Sequence, residues 1–208
     1  MNRFLSIFLS LMGLIFAGVG GCMVFVEAPA TVKEANWLET QEPLSRVSLL
    51  DSVAGTQVVV EARVSGRNPI QYASYVAYIA DECKTDSDGD RSCSEIERVT
   101  PPLLLNMSGG LVEIINNDYD LQGDLVQANS GNWEYRGLNT ESPVIAVGTI
   151  APRDGNPKLN AEYLASGTQA DYVAFLRSSV VTLRILGIIF GLIGAVLFVV
   201  MILMTIRG

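Results

Sequence analysis

The chain has 208 residues, a formal net charge of −8 and no histidine. Without imidazole it has no His-based acid–base catalysis, no serine or cysteine triad of the usual kind, no His-ligated zinc or haem and no histidine pH switch. All 22 acidic residues and 11 of the 14 basic ones lie between Glu27 and Arg177, giving that span a charge of −11. So acidic a region repels phosphate backbones and anionic headgroups, and nucleic acid is not an expected partner. The acidity itself reads most simply as a solvated surface.

Phe4–Val26, after Arg3, is apolar throughout and 23 residues long. A cleaved secretory signal has an apolar region of only ~7–15 residues, so length favours a retained transmembrane helix. Ala28-Pro29-Ala30 has the look of a cleavage site but lies too far along. Val19-Gly20-Gly21-Cys22 has small residues before a cysteine, as in a lipoprotein signal, and lipidation at Cys22 is the lesser alternative. Ser6, Ser10, Gly13, Ala17 and Gly21 form a small-residue stripe at helical spacing, suited to close helix packing. Ala28–Leu44 is polar and Pro-punctuated, with Trp37 a candidate interfacial anchor.

After Gly55 the pattern is β. Gln57–Val64 is β-branched and glycine-bounded, and Tyr72–Ala80 alternates. The pair Glu95–Val99 and Leu111–Ile115 follows, then a turn at Asn116–Asp120. Ala128–Leu138 reads as a polar loop with aromatic content, Val144–Ile150 as a buried strand and Ala151–Asn160 as a loop. Asp171 is placed to cap a helix starting at about Tyr172 and running into Ile185–Ile206. That last run is 22 residues without a charge, ~33 Å as a helix, enough for a bilayer core of ~30 Å. Arg184 and Arg207 flank it, and Gly187, Gly191 and Ala195 make a second small-residue stripe.

These elements predict a small all-β antiparallel barrel or sandwich flanked by two transmembrane helices, the second continuous with a juxtamembrane helix. The organisation is residues 1–30 as first span and exit, 31–170 as β-rich domain, and 171–208 as juxtamembrane helix and second span.

Cys83 and Cys93 bracket an acidic turn between two strands. A disulfide is favoured over free thiols if the domain faces an oxidising compartment. Two cysteines without histidine do not make a structural zinc site. Asp86, Asp88, Asp90 and Glu97 match positions 1, 3, 5 and 12 of a calcium loop, yet position 6, which calls for glycine, is Arg91. A solvated acidic turn is the simpler expectation. No nucleophile elbow, P-loop or dinucleotide fingerprint is present, and no spacing singles out a carboxylate pair. Neither catalytic residues nor a metal or other cofactor is therefore expected. Asn106-Met107-Ser108 is a glycosylation sequon by pattern.

Leu50–Val64 with Gly55, Ser74–Ala80, Thr100–Tyr119 and Val144–Ile150 before Ala161–Gly167 together resemble the GIDE-type domain. This is the membrane-flanked domain of mitochondrial E3 ubiquitin ligases and of many uncharacterised bacterial proteins. The resemblance covers about residues 45–170 and implies a β-rich interaction domain between two spans, with both termini on one side. In those ligases a zinc-binding RING follows the second span. Only two residues follow Ile206 here, so ligase activity is not expected to carry over.

The expected topology is two spans, both termini cytoplasmic and the β-domain extracytoplasmic. Arg3 and Arg207 on one side against Lys33, Arg177 and Arg184 on the other decide little. The cysteine pair and the domain's size decide more. The expected role is a non-enzymatic interaction or accessory subunit of a larger membrane assembly, in contact with lipid and other membrane proteins. The alternatives are a carboxylate-based enzyme and a calcium-responsive sensor.

Overall fold

The computed structural model describes residues 3–152 and 155–207, with the side chains of 3–7, 9 and 205–207 outside the described set. The expected roles of Arg3, Ser6 and Arg207 therefore fall outside it, as do Arg153 and Asp154 of the predicted loop. The chain divides into two units: Met1–Trp37 with Ala174–Gly208, and Leu38–Val173.

The first unit is helical. Helix α1 (Arg3–Cys22) leads through a π-helical turn at Met23–Glu27 into α2 (Ala28–Thr40). The polar, Pro-punctuated stretch after Ala28 is thus helical as far as Thr40. Pro29 explains the π turn: it has no N–H for the carbonyl four residues back, and its ring collides with that carbonyl in a regular α-helix. One residue earlier the Ala28 N–H reaches the Met23 carbonyl, five back, so the widened turn opens just before the proline. Helix α4 (Gln169–Arg207) is the second long helix. Ser10–Thr40 and Gln169–Met204 are both long and apolar enough to cross a membrane.

The second unit opens with α3 (Arg46–Asp51), whose Ser48 N–H is capped by Ser45 Oγ at 3.2 Å. Five strands then form a barrel: β1 (Gln57–Val64), β4 (Leu103–Met107), β5 (Gly110–Ile114), β9 (Pro143–Ile150) and β10 (Lys158–Ser166). Around the ring the order is β1-β4-β5-β10-β9 and back to β1, with β6 (Asp120–Gln122) pairing farther along the same edge of β10 that meets β5. With the inserted strands set aside, this is a five-stranded arrangement of OB type.

A purely antiparallel barrel was expected, and here the fold differs. β10 pairs parallel with β5 (Leu159 opposite Ile114) and with β6 (Leu164 opposite Leu121). For the β5–β10 pair the reason is parity. A closed ring with an odd number of strands cannot alternate direction at every step, so at least one pair must be parallel. Gly148 lets β9 and β10 close in. A Cβ there would lie 2.2 Å from the Asn160 carbonyl oxygen, beside the β10 bulge at Ala161–Tyr163.

A second, antiparallel sheet has the order β3-β2-β8-β7, from β2 (Tyr75–Thr85), β3 (Arg91–Val99), β7 (Val126–Ser130) and β8 (Trp133–Asn139). The predicted loop at Ala128–Leu138 is thus a strand pair around Gly131. β2 is buried on both faces. Val76 and Ile79 join the barrel core with Leu138, while Tyr78 and Ala80 cover the other side. Tyr119 is wholly buried in that core, donating to the Pro101 carbonyl at 2.7 Å, and burial drives its phenol well above the ordinary value.

Helix α4 starts from a reciprocal cap. Asp171 Oδ2 accepts from the Thr168 N–H at 2.9 Å, while Thr168 Oγ1 accepts from the Asp171 N–H at 3.2 Å. This is a capping box with Thr168 at the N-cap and Asp171 at the third helical position. Asp171 was expected to be the cap itself, and the threonine three residues earlier takes that place.

Candidate interaction surfaces

The sulfurs of Cys83 and Cys93 are bonded across β2 and β3, where the two residues stand directly opposite each other. The Cys83 N–H donates to the Asn132 carbonyl at 2.7 Å, on the side away from β3. The pair is therefore a non-hydrogen-bonded one, the position at which antiparallel backbones come closest.

Beyond it, Asp86–Asp90 form a turn rather than a calcium loop. Asp86 Oδ1 accepts from the N–H groups of Asp88 (3.0 Å) and Asp90 (2.9 Å), which organises the turn from within. Among the described residues, the one trio of His, Cys, Asp or Glu ligand atoms within 4.8 Å of each other is Cys83, Cys93 and Glu134. Its two sulfurs are bonded to one another. Asp86, Asp88, Asp90 and Glu97 do not converge.

The outer face of the second sheet is aromatic. Tyr72 stacks on Tyr135 with ring centroids 4.4 Å apart, Tyr78 meets Tyr135 edge-on at 6.1 Å, and Trp133 stacks on Tyr135 at 6.3 Å. Strand register dictates this grouping: Trp133, Tyr135 and Gly137 lie opposite Glu82, Ala80 and Tyr78. The Tyr78 hydroxyl donates to Glu97 Oε2 at 3.1 Å. A hydrogen bond with Tyr72 is the main influence on Tyr135, whose phenol is pushed up to about 12. Tyr78 is raised too, by burial first and then by Glu97. Four of the chain's seven tyrosines (Tyr72, Tyr75, Tyr78, Tyr135) and one of its two tryptophans meet here. Such concentrations typify protein contact surfaces.

Two open grooves, of about 430 and 520 Å³, flank Asn106 and Met107 on the barrel. Their carboxylates are committed to backbone. Glu61 Oε1 accepts from the Gln169 N–H at 2.7 Å, and Glu141 Oε1 from the Gly66 N–H at 3.2 Å. Among the described residues the two carboxyl groups that are clearly shifted, Glu95 (by Arg98) and Asp171 (by Thr168), lie outside these grooves, and both move down. A general acid at neutral pH needs the opposite shift.

In the helical unit, small residues let α1 and α4 touch backbone to backbone. A Cβ on Gly194 would lie 2.8 Å from both the Gly13 carbonyl oxygen and the Ala17 nitrogen. One on Gly20 would lie 2.6 Å from the Gly187 carbonyl oxygen. Of the expected stripe residues, Gly13, Ala17 and Gly187 thus form the seam. Gly21 and Ala195 lie off it, one position past Gly20 and Gly194. A Cβ on Gly191 would meet nothing within 4 Å, although its main-chain nitrogen borders Gly20. The paired glycines are seven residues apart on each helix, Gly13 with Gly20 and Gly187 with Gly194, so they recur every two turns on one face. Phe16 and Phe190 stack beside them at 5.7 Å.

No protein-family model matches the chain, and no curated protein matches it.

Proposed function

We propose that this protein is a non-enzymatic, membrane-anchored interaction subunit of a larger assembly. Its two apolar helices hold it in the bilayer with both termini cytoplasmic, and α4 runs from the extracytoplasmic β-domain (Thr31–Ala170) into the membrane. The observation that carries this is the tyrosine–tryptophan face of the second sheet, where Tyr72 is 39 % exposed. Tyr and Trp supply large contact areas at low entropic cost. The resemblance to the GIDE-type domain points the same way. The Cys83–Cys93 bond supports the extracytoplasmic placement, since such bonds persist in oxidising compartments. The grooves favour no enzymatic alternative, because their carboxylates are held by backbone donors.

Purification in mild detergent, with mass spectrometry of what co-migrates, tests the role. Specific partners that disappear on Tyr72→Ala/Tyr135→Ala at equal membrane abundance are expected. A wild-type protein that purifies alone sinks it. Orientation has its own test: on intact cells a membrane-impermeant thiol reagent should reach a cysteine placed at Asn129, an exposed position on β7, and miss one appended after Gly208.

A further inference from the structure

Strand β3 is an edge of the second sheet, bonded to β2 on one side only. Eight of its nine residues are exposed. The non-hydrogen-bonded Cys83–Cys93 pair sets the direction of its backbone groups. The N–H and C=O of Cys93 point away from β2, and by alternation so do those of Arg91 and Glu95. They form a row of donors and acceptors open to an added strand. A bulge between Glu95 and Glu97 ends the regular register there and turns out Ile96, which is 58 % exposed.

Charge decides what such a strand would carry. Residues 81–99 hold seven carboxylates and three cations. Each cation is taken: Lys84 by Glu82 at 3.1 Å, Arg91 by Glu134 at 3.7 Å, and Arg98 by Glu95 at 3.0 Å and by Asp120. Asp86, Asp88, Asp90 and Glu97 have no ion pair among the described residues. An acidic segment is repelled here, and a neutral one leaves four carboxylates without counter-charge.

We infer that the β3 edge takes up an extended basic segment of a partner protein as an added strand. The segment pairs with Arg91–Glu95, sets an apolar side chain on Ile96, and places Lys or Arg against Glu97 and the Asp86–Asp90 turn. The inference rests on the interaction role above and names the chemistry of the partner.

The test uses the full chain in detergent micelles and a nine-residue peptide of alternating Lys and Val. Its comparators are the Glu/Val peptide and a Lys/Val peptide N-methylated at alternate residues, which cannot pair as a strand. Binding is followed by fluorescence anisotropy and by amide exchange of β3. The Lys/Val peptide should bind about tenfold or more tightly than either comparator, since like charge and a blocked backbone are each penalised. The Cys93 and Glu95 amides should become protected. Glu97→Lys should weaken binding about two- to fivefold, the reach of an exposed ion pair. Equal binding of the N-methylated peptide without protection, equal binding of the Glu/Val peptide, or no binding at all overturns the inference. If partners co-purify with wild type and equally with Glu97→Lys, the interaction role stands and this edge is removed from it.

Discussion

Gly20 of α1 and Gly187 of α4 pass so closely that neither has room for a side chain on the facing side. A Cβ on Gly187 would lie 2.9 Å from the Gly20 carbonyl oxygen and 2.5 Å from a Val24 methyl. In lipid, where apolar burial gives helices little reason to associate, such backbone contact is what holds a pair together. Gly20→Leu or Gly194→Leu should therefore open the hairpin, at a cost of about 1–3 kcal/mol or more from overpacking. Gly191→Leu and Gly21→Leu project into open space and should be tolerated. Oxidative cross-linking between cysteines at Phe16 and Phe190 reads the difference. Equal cross-linking in Gly20→Leu and Gly191→Leu refutes the seam.

The Cys83–Cys93 bond should leave both thiols unreactive to alkylation until reductant is added, with only Cys22 labelled. Opening the 11-residue loop removes about 2–3 kcal/mol by the chain-entropy model. The loss should be local. In Cys93→Ser the amides of Arg91–Glu95 exchange faster while those of β1 and β9 keep their protection, because the barrel core holds neither cysteine. Global unfolding would contradict this.

The Thr168–Asp171 cap gives a pH dependence with a defined sign. Hydrogen bonds from Thr168 hold the Asp171 carboxyl below its ordinary 3.8. A depressed folded-state pKa contributes stability above the unfolded value and loses it as pH falls through the folded one. Wild type should thus lose this increment below about pH 3.8, and Asp171→Asn should flatten that limb of a Tm-against-pH curve. Thr168→Ala should cost about 1 kcal/mol at neutral pH. An acid limb unchanged in Asp171→Asn would show that the contact adds nothing.

At the alkaline end the sign is reversed. Tyr135 and Tyr78 are raised above 10, so their contribution is complete below that value and is lost as pH climbs through their folded-state pKa values, about 12 for Tyr135. Absorbance at the tyrosinate band should show late-ionising phenols, and Tyr72→Phe should bring one of them back toward 10 by deleting the hydrogen bond to Tyr135. An unaltered titration curve in Tyr72→Phe would remove Tyr72 as the cause.

How far the sequence could be read depended on how one-sided each segment is. Gln57–Val64 and Val144–Ile150 were legible because β-branched residues buried on both faces stand between glycines or turn residues. Val126–Ser130 was not, because all five residues are exposed and polar side chains occupy both faces, the composition of a loop. β10 was not legible as a strand either: its first residues follow Asp154-Gly155-Asn156-Pro157 and fall within the predicted Ala151–Asn160 loop. The second small-residue stripe was visible as a face, but spacings of three and four admit both Gly194 and Ala195. Only the facing Gly13 and Ala17 select between them. The aromatic face was hidden for a different reason: Tyr72 and Tyr135 are far apart in sequence, and their rings meet only because Tyr72 folds back to bridge Tyr75 and β2 pairs with β8.

Closure of the ring by its last strand imposes an order on biosynthesis. β1 can pair with β9, and β4 with β5, as soon as these strands leave the ribosome, but the ring stays open until Lys158–Ser166 arrives to join β5 to β9. A nascent chain halted before β10 carries two bare edges, on β5 and on β9, and long-range strand pairing is slow to form. Helix α4 begins at Gln169, three residues after β10 ends. Barrel closure and the synthesis of the second apolar helix therefore fall within the same short interval, and a chain cut off before that helix has had little time to close the barrel.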